Sequence, residues 1–386
     1  MELSDIRRLT PAVENCAYFQ TSGFSPKPEP VIEEVIHWMR YQNQGPALGW
    51  VSQVMDRLQE EARSAVAEAL NASPDEIMLN ENATVGINVV ANGVEWQAGD
   101  NVILSTHEHP GNRLTWYQVA RHYGVELRFV AVNNDDQRTL DELESKIDRR
   151  TRLVSISHVS RETGLRLPAR QIVAIAHQHG VPVLFDGAQA FGSVPVDVRQ
   201  LDCDFYTCSG HKYIMGPQGT GAFYVRRDRI EWLKPRWIGS HSQESFDCWG
   251  NFTLKDSARR FEFGTRNRAD YAGFKKALEI WSEIGWDKVY ARIEAYTDML
   301  KARLLAEVPG LQLETPLPYA RSSGIVTFSL PGVEPNRLSA SLMEHERVLL
   351  GPANDTMVRV STHVFNTEEE ASRLIAGLRR ILTNGF

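Results

Sequence analysis

Pro182-Val183-Leu184-Phe185-Asp186-Gly187-Ala188-Gln189-Ala190, read together with Asp204-Phe205-Tyr206-Thr207-Cys208-Ser209-Gly210-His211-Lys212, decides the fold. Each stretch is a short apolar run, β-branched or aromatic, that ends in small and polar residues, as a buried parallel strand does. Working outward, runs of the same kind occupy 101–105, 126–132 and 152–157. Helical patterns fill the gaps at 112–123, 140–149 and 169–179, with Gly124 and Gly180 following the first and last as C-terminal caps. This alternation predicts an α/β fold, a mainly parallel sheet covered by helices. Such sheets bind ligands beyond the carboxyl ends of their strands. The segments 107–109, 158–162, 186–189 and 209–212 are therefore expected to converge on one crevice.

Past about Leu254 the character changes. Long amphipathic patterns such as 269–308 surround short strand-like runs at 324–330 and 357–361. Thr367 with Glu370 forms a capping box ahead of Leu374, Ile375, Leu378 and Ile381. The expected organisation is a large domain over 15–255 and a smaller C-terminal α/β domain over 256–386, joined by 1–14.

The 386 residues suffice for two such units. A net charge of -7, with Lys and Arg spread along the chain, argues against nucleic-acid binding, which requires basic patches to neutralise phosphates. No apolar run is long enough to span a bilayer, and the acidic start Met1-Glu2-Leu3-Ser4-Asp5 carries no signal-peptide pattern, so a cytoplasmic protein is expected. Cys16, Cys203, Cys208 and Cys248 show neither metal-ligand nor redox spacing.

Lys212 and Asp186 stand at the ends of two different predicted strands. A lysine that forms a Schiff base to an aldehyde and a carboxylate that keeps a pyridine nitrogen protonated are what pyridoxal phosphate (PLP) chemistry requires. Other motifs are open to two readings. Asn82-Ala83-Thr84-Val85-Gly86 follows the strand-like 77–79 and is either a phosphate cradle or a plain helix cap. In Thr106-His107-Glu108-His109-Pro110, one-residue His spacing without a third ligand is poor metal geometry; a His facing a planar ring fits better. Gly216-Pro217-Gln218-Gly219-Thr220-Gly221 lacks the Lys-Ser/Thr of a nucleotide loop and reads as a turn before 222–225. Arg359, in an alternating strand, is either a carboxylate clamp or a surface residue.

Taken together, ENATVGIN, EHPGN, SHVSRETG, DGAQAFG, SGHKYIMGPQGTG, FEFGTRN and RVSTHVFNTEEE give the chain a resemblance to the fold type I PLP enzymes of aminotransferase class V. That group holds cysteine desulfurases, cysteine/cystine C–S lyases and isopenicillin N epimerase-like proteins. The resemblance covers nearly the whole chain and implies a mainly parallel seven-stranded sheet. It also implies that Lys212 carries the cofactor and moves the α-proton, Asp186 pairs with the pyridine nitrogen, and Ala188 and His109 pack on opposite ring faces. Gln189 would meet the ring hydroxyl. Ala83, Thr84, Ser209 and His211 would hold the phosphate, with Thr265 donated by the neighbouring subunit of a homodimer with shared active sites. Arg359 would bind the carboxylate of an amino-acid substrate.

Two departures stand against the desulfurase pattern. The nucleophilic cysteine of that branch has no counterpart in Val348-Leu349-Leu350-Gly351-Pro352-Ala353-Asn354-Asp355-Thr356. A persulfide-forming thiolate is thereby missing. Arg161 stands where the desulfurases place an asparagine, and either engages the cofactor ring oxygen, reads a second anionic group on the substrate, or pairs outward with Glu162. The expected activity is a C–S lyase acting by β-elimination on cysteine, cystine or a cysteine S-conjugate. The alternatives are a class V aminotransferase, an amino-acid epimerase or decarboxylase, and a silent PLP-binding protein.

Overall fold

The computed structural model describes residues 1–385. Its central sheet has seven strands, in the order Ile77–Asn80, Gly221–Val225, Phe205–Ser209, Val183–Asp186, Thr151–Ser157, Asn101–Ser105 and Glu126–Val130. The last five run parallel; Gly221–Val225 is antiparallel to both of its neighbours. The expected mainly parallel, helix-covered sheet is therefore present. Along the central strand, Val183 and Phe185 enter one apolar core while Leu184 enters the core on the opposite face. Both faces are dry, so the sequence shows a continuous apolar run instead of alternation. Each such side chain contributes about 1.5–3 kcal/mol by leaving water.

A second sheet of four antiparallel strands follows the order Gln312–Leu313, Ile325–Ser329, Val358–Ser361 and Gly351–Pro352. The helix Glu368–Asn384 starts at the capping box of Thr367 and Glu370 and packs Leu374, Ile375, Leu378 and Ile381 under this sheet. The amphipathic pattern over 269–308 is two helices, Arg268–Ile284 and Trp286–Glu307. Gly285 breaks it with a φ of 97°. Leu278 and Trp281 of the first helix join the core of the large sheet; Leu300 and Leu304 of the second join that of the small one. At the other end of the chain, Ile6 packs in the large core, whereas Ala17 and Phe19 pack in the small one. We retain 15–255 and 256–386 with 1–14 as the proposed domains, with packing that crosses the line at both ends.

Among the described residues no helix is long and apolar enough to cross a membrane.

Candidate active site

The strand ends do converge. A cavity of about 540 Å³ is lined by Ala83, Thr84, His109, Asp186, Ala188, Gln189, Ser209, His211, Lys212, Arg161 and Arg359, together with Ser22, Gly23 and Phe24 of the N-terminal loop. Every site residue expected from the sequence, Thr265 apart, is in this one space. Thr265 is on the exposed surface of the chain.

Two helices aim their N-termini here, Ala83–Gly93 and Pro110–Tyr123. They come close because Gly111 has no side chain: a Cβ there would sit 2.3 Å from Thr84 Oγ1. The first-turn N–H groups of a helix lack partners within it and attract anions. One of them, Ala83 N–H, donates to Ser209 Oγ (3.1 Å), tying the helix start to the strand that leads to Lys212.

Asp186 ends its strand with Oδ1 accepting from Ala188 N–H (3.0 Å), which orients the carboxylate. Lys212 is pushed down to about 8, first by desolvation, with Arg359 and Arg161 adding to the shift and Asp186 opposing it. His109 caps its helix, its Nδ1 accepting from Gly111 N–H (3.0 Å). The imidazole is held down at about 4 by desolvation and then by the Lys212 charge, so it is neutral at physiological pH. His211 is likewise lowered to about 4 by desolvation, Lys212 and Lys27.

The sequence reading missed the support beneath. Glu108 is turned away from both neighbouring histidines into the core. It accepts from Ser157 N–H (2.9 Å), Ser157 Oγ–H (2.7 Å), Asn112 Nδ2 (2.6 Å) and the Ser105 hydroxyl. Burial raises its pKa against the pull of these donors. His158 Nδ1 pairs with the Tyr206 hydroxyl (3.0 Å), and burial lowers the ring to about 3. The available signal was small polar residues inside strands, Ser105 and Ser157, where apolar ones are the rule.

The opposite wall comes from the small sheet and one turn. Arg359, in the middle of Val358–Ser361, pairs with Thr327 and Gly351 on its two flanking strands. Its Nη1 donates to the Arg161 carbonyl (2.9 Å), while its Nε is buried without a partner among the described residues. Desolvation, then Arg161, pushes Arg359 down to about 10. Among the described residues Arg161 forms no ion pair with Glu162 and instead lines the cavity.

Among the described residues no cysteine lines the cavity. Cys16, Cys203 and Cys208 are buried and Cys248 is exposed. Cys208 is pushed up to about 12 and Cys203 higher, both mainly by burial, so neither is a thiolate. The stretch before Arg359 is no long loop: Ala353 N–H donates to Met357 O (2.8 Å), closing a tight turn capped by Asn354. Among the exposed aromatics, Phe24 lines the cavity, while Trp50, Trp237, Phe246 and Trp249 lie elsewhere on the surface of this chain.

The residues present fit a phosphorylated pyridine. Gln189 Nε2 donates to Ser22 O (3.1 Å), while Gln189 Oε1 and His211 Nδ1 are buried with no partner among the described residues. Unpaired buried polar atoms facing a cavity with convergent helix N-termini indicate a ligand that completes them.

The aminotransferase class-V family model matches residues 17–374. A cysteine desulfurase of Enterobacter sp. (strain 638) is 33% identical over 384 residues, covering 95% of this chain and 93% of the relative. Among solved structures, a C-DES mutant with glycine covalently linked to its PLP cofactor superposes with a TM-score of 0.90 at 30% identity, over 96% of this chain and 98% of that one. The cystine C–S lyase C-DES in complex with its reaction product, cysteine persulfide, gives 0.89 at 30% identity over the same shares.

Proposed function

We propose that this chain, which belongs to the aminotransferase class-V family, is a PLP-dependent carbon–sulfur lyase. In our reading it eliminates the sulfur substituent from cystine or another cysteine S-conjugate without using a cysteine of its own. The observation that carries it is one cavity holding Lys212, Asp186 and Arg359 and no thiol.

Lys212 would bind the cofactor aldehyde, Asp186 the pyridine nitrogen, and Gln189 the ring hydroxyl. His109 and Ala188 would flank the ring, and Ala83, Thr84, Ser209, His211 and Thr265 of the partner subunit would hold the phosphate. When bound, the cofactor supplies an electron sink for the pair released at the substrate α-carbon.

The chain's own residues supply the rest. Arg359 fixes the α-carboxylate through charge-assisted hydrogen bonds and so presents the Cα–H bond. Lys212 Nζ takes that proton. Its pKa near 8 leaves a useful fraction neutral at physiological pH while keeping it basic enough to accept. Loss of the Cα proton drives out the β-substituent: the C–S bond breaks, the electron pair leaves with sulfur, and hydrolysis then yields pyruvate and ammonia. From cystine the leaving group is cysteine persulfide. No protein thiol takes part, in keeping with Cys203 and Cys208 being protonated and buried.

Holoenzyme incubated with cystine is expected to release pyruvate with no keto acid added. Product that appears only on adding a keto acid would replace lyase with aminotransferase. Deuterium exchange at Cα without net product would mark an epimerase.

A further inference from the structure

The turn that carries Arg161 is held more tightly than a surface turn requires. Ser160 Oγ accepts from the N–H groups of Glu162 and Thr163 (both 3.2 Å), and Gly164 N–H donates to Ser160 O (2.9 Å). From the small sheet, Thr315 Oγ1 donates to Thr163 O (2.6 Å) and Ser323 Oγ to Gly164 O (3.1 Å). Gly164 takes a φ of 73°, and a Cβ there would lie 2.5 Å from Ile325 O. The Arg161 carbonyl is fixed by Arg359 Nη1. The backbone is thus fastened from both sides of the cavity, while the guanidinium makes no hydrogen bond or ion pair among the described residues.

Three cationic side chains, Arg161, Arg359 and Lys212, face the cavity against one carboxylate, Asp186. Arg359 and Lys212 are both depressed in part by the Arg161 charge. Placing two arginines in one partly desolvated space costs free energy unless anions arrive to pair with them. One substrate α-carboxylate satisfies one guanidinium. The second is left for the cofactor ring oxygen or for a further anion on the substrate.

We propose that Arg161 is a specificity-determining residue that receives a second anionic group, so that the substrate is a cysteine S-conjugate whose sulfur substituent carries a carboxylate or sulfonate. This rests on the lyase reading and on Arg359 taking the α-carboxylate. A rigid backbone with an unpaired guanidinium suits a selective role, since little ordering is left to do on binding.

The test compares two isosteric substrates, S-carboxymethyl-cysteine and S-carbamoylmethyl-cysteine, which differ in one charge. The wild-type holoenzyme is expected to favour the carboxylate in kcat/KM by about tenfold or more, the scale of a charge-assisted hydrogen bond. In Arg161→Gln the ratio falls to about one, and Arg161→Lys restores part of it. Arg359→Gln lowers both substrates and leaves the ratio standing. The lyase reading is judged separately, by pyruvate released from cystine, and fails if cystine and both compounds are left intact. If neither compound is turned over, the same ratio is read as dissociation constants from absorbance titrations of the holoenzyme, so charge selection is still judged. A ratio unchanged in Arg161→Gln, or absent in the wild type, overturns the proposal. So does an altered absorbance–pH profile of substrate-free Arg161→Gln with an intact ratio, which would assign Arg161 to the cofactor ring oxygen.

Discussion

The two walls of the cavity are built on opposite principles. The wall of Lys212, Asp186 and His109 rises from the ends of parallel strands, and the groups that support these three are paired, while Gln189 Oε1 and His211 Nδ1 beside them are left open toward the cavity. Glu108 collects four donors, Asp186 is fixed by Ala188, and His109 by Gly111. The wall of Arg161 and Arg359 comes from an antiparallel sheet and a fastened turn, and leaves its charge unpaired. In the proposed function, the satisfied network would hold the cofactor in one pose through many turnovers, and the unsatisfied one would bind a substrate that arrives charged and leaves as different molecules. The first half of the site would then be preorganised by hydrogen bonding, the second by withheld neutralisation.

The sharpest way to break that contrast is to remove one group from each wall. Lys212→Ala is expected to abolish the visible absorption of the holoenzyme and to cost about a thousandfold or more in turnover. Arg359→Gln is expected to keep the absorption and lose about a hundredfold in kcat/KM. Absorption spectra and steady-state kinetics on the same preparations check both. Loss of colour in Arg359→Gln would erase the division of labour.

Stability of the substrate-free protein sharpens the comparison further. Glu108→Leu strands the hydroxyls of Ser105 and Ser157 and the amide of Asn112, and is expected to lower stability by about 2–4 kcal/mol. Arg161→Leu removes an unpaired cation and is expected to be neutral or stabilising, within about 1 kcal/mol. Urea midpoints on the two variants decide this; equal losses would mean that the second wall is paired after all.

The smallest effect is a slope with pH. Lys212, near 8 in the folded chain against an ordinary 10.5, binds its proton more weakly folded than unfolded. The penalty is full below about 8 and is relieved as pH rises toward 10.5, so this group makes the cofactor-free protein more stable with rising pH. Lys212→Met is expected to be more stable than the wild type at neutral pH. The gap should close by somewhat under tenfold in the unfolding constant per pH unit across that window. Denaturation midpoints at both ends of the window measure it, and a constant gap would show that the Lys212 charge is not desolvated.

Much of this was legible without coordinates. Parallel strands buried on both faces write themselves as short apolar runs, and the rule that ligands lie beyond their carboxyl ends brings Asp186, Lys212 and His109 together. The break at Gly285 was less visible, because the amphipathic period continues across it while the chain changes direction. Glu108 was hidden for another reason: flanked by two histidines, it reads as a ligand or surface acid, and the donors from Ser105, Asn112 and Ser157 make a buried position tolerable.

By itself, then, the sequence determined the sheet, the convergence of its strand ends, the cofactor-type pair and the missing thiol before Arg359. The first three follow from local patterns and chain order; the last follows from the resemblance to the desulfurases. The tertiary structure alone decided that Arg161 faces the cavity and not Glu162, that Arg359 reaches its carbonyl, and that burial lowers the Lys212 pKa. Side-chain direction and desolvation depend on what packs nearby from distant parts of the chain: Thr315 and Ser323 fasten the turn from more than a hundred residues away, and Ile325 packs so close that only glycine fits at Gly164.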